Sequence, residues 1–494
     1  KPNHTLSWDV LGTILRKFNK LKGAEYCARK ATSLDPLNIT VAANLAFTLC
    51  DAAKNDDAIR QLRNVLVLDN DNFAAFTGLL FELTHVSSIT AAELFAEHLQ
   101  FGKQVDKWVA RQNVKFIFDC SRDVERKLRI GFVSGDLYEH PVSNFLQPFW
   151  DNIDRSRYEL IAYSAKKQHD TKTDHFKKTA TLWRDVDEIN DVALAKLIHA
   201  DKIDVLFDLS GHTASNRLPA FALRPAPVQI SWIGYPGTTG LKQMDYRMFT
   251  ASLAGITGLE QQLTEKIIFA EMQKVFEPSP LSPAVNTLPA LRNGYMTYAT
   301  FNRPKKINDD VLTAWGELLS RSPESTLLLG FMTDDEFIAS VKSRLLAKGA
   351  HADQLIFRGK VSLQEYLGFH HEIDILLDSF PYTGGTTTNH GAWMGVPTLT
   401  IMGTTPPGHQ GVDIMRSYGL EQFIAKDVED YITKALWWGE HLEELNEIRM
   451  GMRAKIPTEH ESGFNVAATF EKSIREAWRI WCQGDSPRTF VVNE

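Results

Sequence analysis

Several features common in other protein classes are missing from this chain. No apolar run in its 494 residues approaches the roughly 20 that a membrane-spanning helix needs. Cysteine is scarce: Cys27, Cys50, Cys120 and Cys482 are scattered, with no CxxC pair. Neither a zinc cluster nor a disulfide framework is suggested, and a reducing cytoplasm (or nucleocytoplasm, in a eukaryote) is expected. The net charge of −7 gives no support for a nucleic-acid or anionic-membrane partner. Neither GxGxxG nor GxxxxGK[ST] occurs, which weakens dinucleotide and P-loop readings. HExxH and GxSxG are also absent, against zincin and α/β-hydrolase chemistry. At 44% hydrophobic and 23% charged residues, what remains is a soluble globular composition, long enough for about three domains. The chain opens at Lys1, without methionine and inside a repeat, as expected of a piece trimmed from a longer chain whose targeting signal would be lost.

What is present begins with a repeat of period 34. The anchor Leu34–Asn38 (LDPLN) returns as Leu68–Asn72 (LDNDN), and Leu11, Gly12, Ala24, Ala28 and Ala31 recur as Leu45, Ala46, Ala58, Leu62 and Val65. With Trp8 leading and Pro36 closing, this is the tetratricopeptide pattern of stacked helical hairpins, with a degraded third unit near Phe76. Such an array is either a groove for a peptide or a structural spacer. Residues 90–112 read as one or two linking helices.

From residue 127 the pattern changes. Leu128–Ser134, Tyr158–Ser164 and 203–211 read as strands, and 192–200 as a helix. A second set follows the Pro-rich stretch 278–289, with strands at 296–302, 325–331, 355–359, 373–379 and 397–403. Strands alternating with helices imply parallel, doubly wound sheets, so two Rossmann-like domains facing a cleft are expected, with ligands at the C-terminal strand ends. The domain plan is therefore 1–88 repeats, 89–126 linking helices, 127–285 a first α/β domain and 286–494 a second, with a helix near 464–482 spanning the two.

The segment Ile373–Pro397 (IDILLDSFPYTGGTTTNHGAWMGVP) carries the strongest chemical signal. An apolar strand gives way to a Gly-rich turn, then to a helix from about Asn389, with Thr386, Thr387 and Thr388 at its start. Unpaired N–H groups and the positive end of the helix dipole suit a diphosphate there. An ordinary βα turn with Thr as cap is the plain alternative. Other candidates fall just past strand ends: His140, His212, Arg303 with Lys306, and His390 and His409 around the Thr-rich helix. Each has a structural alternative, as a cap neighbour or a solvated lysine pair. His370 and His371 read as surface residues, and Asp185–Asp187 as an acidic run rather than a DxD metal site.

Taken together, these motifs resemble the polypeptide O-glycosyltransferases of glycosyltransferase family 41, above all through Phe221–Arg247 and the LLDSFPYTGGTTT segment. The resemblance covers the whole chain and implies tetratricopeptide repeats followed by an α/β catalytic region of the GT-B type. It implies that His140 is the general base or an acceptor-side group, with His212 as the reserve candidate. It assigns Lys306 to the donor diphosphate, Arg303 to a neighbouring nucleotide contact, and Val361, Ser362 and Tyr366 to the nucleotide base. Thr386 and Thr387 match the pair that holds the diphosphate, and His390 stands where the animal enzymes have Asp. Gly385 departs from the animal enzymes, which have His there, and SPINDLY-like members also lack that His.

The activity expected is inverting transfer from a nucleotide-sugar, UDP-GlcNAc favoured, to Ser or Thr hydroxyls, with no metal and no other cofactor. The acceptor polypeptide would lie in the repeat groove, and the repeats could also mediate homo-oligomers. A GDP-fucose-dependent SPINDLY-like transferase is the alternative donor reading, and a degenerate repeat-based interaction protein is the non-enzymatic one.

Overall fold

The computed structural model describes residues 4–270, 279–456 and 459–492. Contacts group the chain into two compact units: Lys1–Ile59 with Thr84–Ser88 and Pro278–Pro457, and Arg60–Leu83 with Ile89–Glu277 and Thr458–Glu494.

The repeats form three helical hairpins. They are α1 (Thr5–Lys17) with α2 (Leu21–Leu34), α3 (Ile39–Asp51) with α4 (Asn55–Leu68), and α5 (Phe73–Leu83) with α6 (Ala91–Gln112). The leading helices start at Thr5, Ile39 and Phe73, one repeat length apart. The segment read as a linker is thus the second helix of a third hairpin. Its start is fixed by a capping box between Thr90 and Glu93. Gly12 lets α1 and α2 approach closely, since a Cβ there would lie 3.3 Å from Ala24 O and Cys27 Cβ. Leu45 packs with Ala28 of the preceding hairpin and is buried, whereas its counterpart Leu11 is 43% exposed. The same sequence position is core only where another hairpin covers it.

The first sheet is built from β1 (Leu128–Ser134), β2 (Tyr158–Ser164), β3 (Leu182–Asp185), β4 (Val205–Asp208), β5 (Val228–Ser231), β6 (Tyr246–Phe249), β7 (Lys266–Ala270) and a terminal strand Phe490–Val492. Their order is terminal strand, β7, β6, β5, β4, β1, β2, β3, and the pairings are parallel. Helix Glu459–Gln483 packs against this sheet. Val466, Phe470, Ile474, Ala477 and Trp478 form a stripe at helical spacing that is buried here. Phe470 lies 3.9 Å, ring to ring, from Phe149 and 4.9 Å from Phe207.

The second sheet contains β8 (Thr297–Thr300), β9 (Thr326–Leu329), β10 (Leu355–Phe357), β11 (Ile375–Leu377), β12 (Thr398–Ile401) and β13 (Ile424–Ala425), in the order β10-β9-β8-β11-β12-β13. The strands are all parallel, and the central β8 and β11 are buried along their whole length, as interior parallel strands are. Arg449 is fully buried and donates to the carbonyls of Asn286 (2.7 Å), His370 (2.8 Å) and Ile373 (3.0 Å), fixing the entry to β11. His370, read as a surface residue, is fully buried, and that burial lowers its pKa to about 3.

Candidate active site

The Gly-rich segment lies at the C-terminal end of β11. The helix begins at Thr386, three residues before the position read from sequence, and runs to Trp393 with Gly385 as N-cap. No side chain caps it, unlike the helices led by Asn38, Asn190 or Asn308. Its first amides therefore remain available to an anion.

The turn before it is shaped by Asp378, a residue the sequence reading passed over. Asp378 is 1% exposed and accepts from the Gly384 amide (2.7 Å), the Ser379 amide (2.9 Å), Thr400 Oγ1 (2.8 Å) and Asn302 Nδ2 (3.0 Å). Asn302 in turn accepts from Thr387 Oγ1 at 3.2 Å. The Thr387 hydroxyl proton is thus committed, and what that residue offers a ligand is its amide. Gly384 has to be glycine, because a Cβ there would sit 2.6 Å from Thr388 Oγ1 and 2.9 Å from Thr387 Oγ1.

Lys306 reaches this turn from the short 3-10 turn Pro304–Lys306 that follows β8, and Arg303 beside it is exposed. Its ammonium donates to Thr383 O at 2.6 Å and stands 4.1 Å from the centre of the Tyr382 ring. An ammonium carries three protons, so two remain beyond the one Thr383 accepts. Burial lowers its pKa from 10.5 to about 7; the Asp378 carboxylate raises it, while Arg303 and Lys305 add to the lowering. A lysine poised near neutrality beside an uncapped helix start is built to meet negative charge.

The residues assigned to the nucleotide base are next to each other on one element. Ser362 caps helix Leu363–Phe369 through a capping box with Glu365, and Val361 precedes it, half-buried. Tyr366 is 4% exposed and packs edge-on to Phe301, with its hydroxyl 3.3 Å from His390 Nδ1. Burial lowers His390 to a pKa of about 4, so it is neutral at physiological pH. Tyr366 is therefore a wall residue more than an open stacking platform. His409 is also buried, with Nδ1 3.2 Å from Gly403 O.

The first sheet carries the other candidates. His140 caps helix Pro141–Asn152, its Nδ1 3.3 Å from the Val142 amide and 3.8 Å from Asp136 Oδ2. Tyr138 lies beside it and accepts a hydrogen bond from Lys166 at 3.2 Å. His212 is fully buried among His98, Phe101 and Tyr235, with Nε2 3.0 Å from Thr239 O and Nδ1 3.4 Å from Thr77 Oγ1. Both ring nitrogens are engaged in the interior, and burial, with His98 adding to the effect, holds it neutral. These contacts give it a packing role in the first sheet's unit. Asp185 closes β3 and is bound by Trp183 Nε1 (2.8 Å) and Lys177 (3.6 Å). Among the described residues no cluster of three or more metal-type ligands forms.

Helical repeats followed by two parallel α/β sheets, one ending in a Gly- and Thr-rich loop at an uncapped helix start, are the architecture of the GT-B class. The chain belongs to glycosyltransferase family 41, whose model matches residues 66–277 and 284–469. It is 34% identical over 447 residues to the rice (Oryza sativa subsp. japonica) protein named "Probable UDP-N-acetylglucosamine--peptide N-acetylglucosaminyltransferase SPINDLY", covering 87% of this chain and 47% of that one. A second relative, the Arabidopsis thaliana protein of the same description named SEC, is 28% identical over 387 residues, covering 75% of this chain and 39% of that one. The chain spans about half the length of the curated relatives it matches. Among solved structures, a mutant of the Thermobaculum terrenum O-GlcNAc transferase superposes with a TM-score of 0.90 at 28% identity, over 98% of this chain and 92% of that one.

Proposed function

We propose that this chain transfers a sugar, N-acetylglucosamine by preference, from a nucleoside diphosphate to Ser or Thr hydroxyls of polypeptides, with inversion and without a metal. One observation carries the reading: the uncapped start of helix Thr386–Trp393 lies next to the turn whose Thr383 carbonyl holds Lys306. The printed names of the relatives support the donor and the peptide acceptor.

As the glycosidic bond breaks, negative charge develops on the leaving diphosphate. Amides of Thr386 and Thr387 and the ammonium of Lys306 stabilise it, the role a metal plays elsewhere. The acceptor hydroxyl attacks the opposite face of the sugar and loses its proton to His140. For Nε2 to accept that proton, the other must sit on Nδ1, so the ring has to give up the Val142 amide that Nδ1 accepts in this structure and turn that N–H toward Asp136, 3.8 Å away. The repeats present the acceptor chain.

Calorimetric titration without metal tests the donor. Tighter binding of UDP than of GDP is expected, whereas preference for GDP would favour a fucosyl donor, and binding of neither would refute the enzymatic reading. Lys306→Ala should abolish transfer while leaving the melting temperature near the parent's. Unaltered turnover in that variant would remove Lys306 from the reaction.

A further inference from the structure

The compact unit that contains the second sheet also contains the first two leading helices of the repeats and the short segment Thr84–Ser88. Two contacts bring that repeat material to the loop of Lys306. Asn55, at the start of α4, donates from Nδ2 to Lys305 O at 3.0 Å. His85, just past the end of α5, stacks on Tyr382, with ring centres 4.9 Å apart and planes 12° from parallel. Tyr382 is the same ring over which the Lys306 ammonium stands at 4.1 Å. His85 is 2% exposed and Tyr382 9%, so both rings are packed in place. The side chain of Thr84 lies 3.2 Å from His85 Nδ1 and helps set the orientation of the imidazole.

We infer that His85 and Tyr382 are positioning residues for the donor lysine, so that the repeat segment forms part of the sugar-donor site as well as any acceptor groove. This rests on the proposed role of Lys306. The physics is that of a flexible four-carbon stem: unless something fixes it, an ammonium samples many positions, and a charge displaced from the diphosphate does little for it. The Tyr382 ring supplies an electron-rich face that favours the cation at one place. His85 in turn keeps the ring from rotating away. Asn55 fixes the backbone from which the lysine extends.

Four variants and one control test this. Tyr382→Leu and His85→Ala remove one ring each, while Tyr382→Phe and His85→Phe keep a flat ring. Donor binding is read by titration with UDP, and steady-state rates give kcat and the separate KM for donor and acceptor. His85→Ala is expected to weaken UDP binding about tenfold, roughly 1.4 kcal/mol, and to lower kcat with acceptor KM unchanged. Tyr382→Leu should do the same, and both Phe variants should restore most of the loss. UDP binding and kcat at parental levels in His85→Ala would overturn the inference. So would a His85→Phe variant that melts like the parent yet binds UDP as poorly as His85→Ala. Lys306→Ala is the control: if it leaves UDP binding intact, the proposed function fails first; if it weakens binding while His85→Ala does not, only the present inference fails.

Discussion

The role proposed for Lys306 makes donor binding a titration. In the protein without donor its pKa is lowered to about 7, chiefly by burial. A diphosphate placed beside it favours the ammonium and raises that value, so binding above neutrality must draw a proton from solution. The charged fraction falls from about nine-tenths at pH 6 to about one-tenth at pH 8. If only the ammonium form binds, the dissociation constant for a nucleotide-sugar rises about tenfold over that span, close to 1.4 kcal/mol. At pH 8 about 0.9 proton should be taken up for each donor bound. A nucleotide-sugar is the right probe, because its diphosphate diester does not titrate near neutrality, whereas the terminal phosphate of UDP does. Calorimetry at pH 8 in two buffers of different ionisation enthalpy measures the uptake directly. Lys306→Arg keeps a permanent cation and should flatten the profile. A dissociation constant that is level from pH 6 to pH 8.5, with no buffer-dependent heat, would refute the reasoning. A slope that persists in the Arg variant would assign it to another group.

Asp378→Asn should displace the same profile to lower pH, since the lost carboxylate is the one group that raises Lys306. It should also cost about 1–3 kcal/mol by denaturant unfolding, because four donors now face an amide; an unmoved midpoint would contradict the coupling. Acid should weaken the first sheet's unit through His98, whose pKa burial lowers to about 4. Below pH 6.5 the unfolded chain binds a proton that the folded one refuses, so stability falls with pH by about 2 kcal/mol between pH 7 and pH 5. Asp374, raised to about 6 by burial, works in the opposite direction. His98→Gln should shrink the acid loss by about 2 kcal/mol in urea unfolding at the two pH values, and an unchanged loss would rule the histidine out as its source.

Much of the architecture was legible where one local pattern dominates. The strands at Leu128–Ser134 and Tyr158–Ser164 match their apolar runs to the residue, and the leading helices keep the repeat period through the third hairpin. Short strands such as β3 and β13 escaped notice, being four and two residues long and too brief for a pattern. The Gly- and Thr-rich loop at the helix start was visible in the sequence, but Asp378 was not. A carboxylate after an apolar strand looks like a strand end until four donors are seen to converge on it. The burial of His212 was not legible, because position past a strand is one-dimensional information, while its burial depends on α5 and α6, more than a hundred residues away. The contact of His85 with Tyr382 joins segments about three hundred residues apart and leaves no trace in local composition.

Gly385 places the uncapped helix in a different light. Ser or Asp at an N-cap is worth about a few tenths of a kcal/mol over Gly, and more over residues such as Ala. Such a side chain would compete for the amides on which the proposed chemistry depends. The position is therefore one where a search for heat-tolerant variants and a search for working ones would select opposite residues. A sequence optimised only for folding would drift toward an inactive protein there. For anyone redesigning this scaffold, residue 385 has to be held fixed against the gain that capping rules promise.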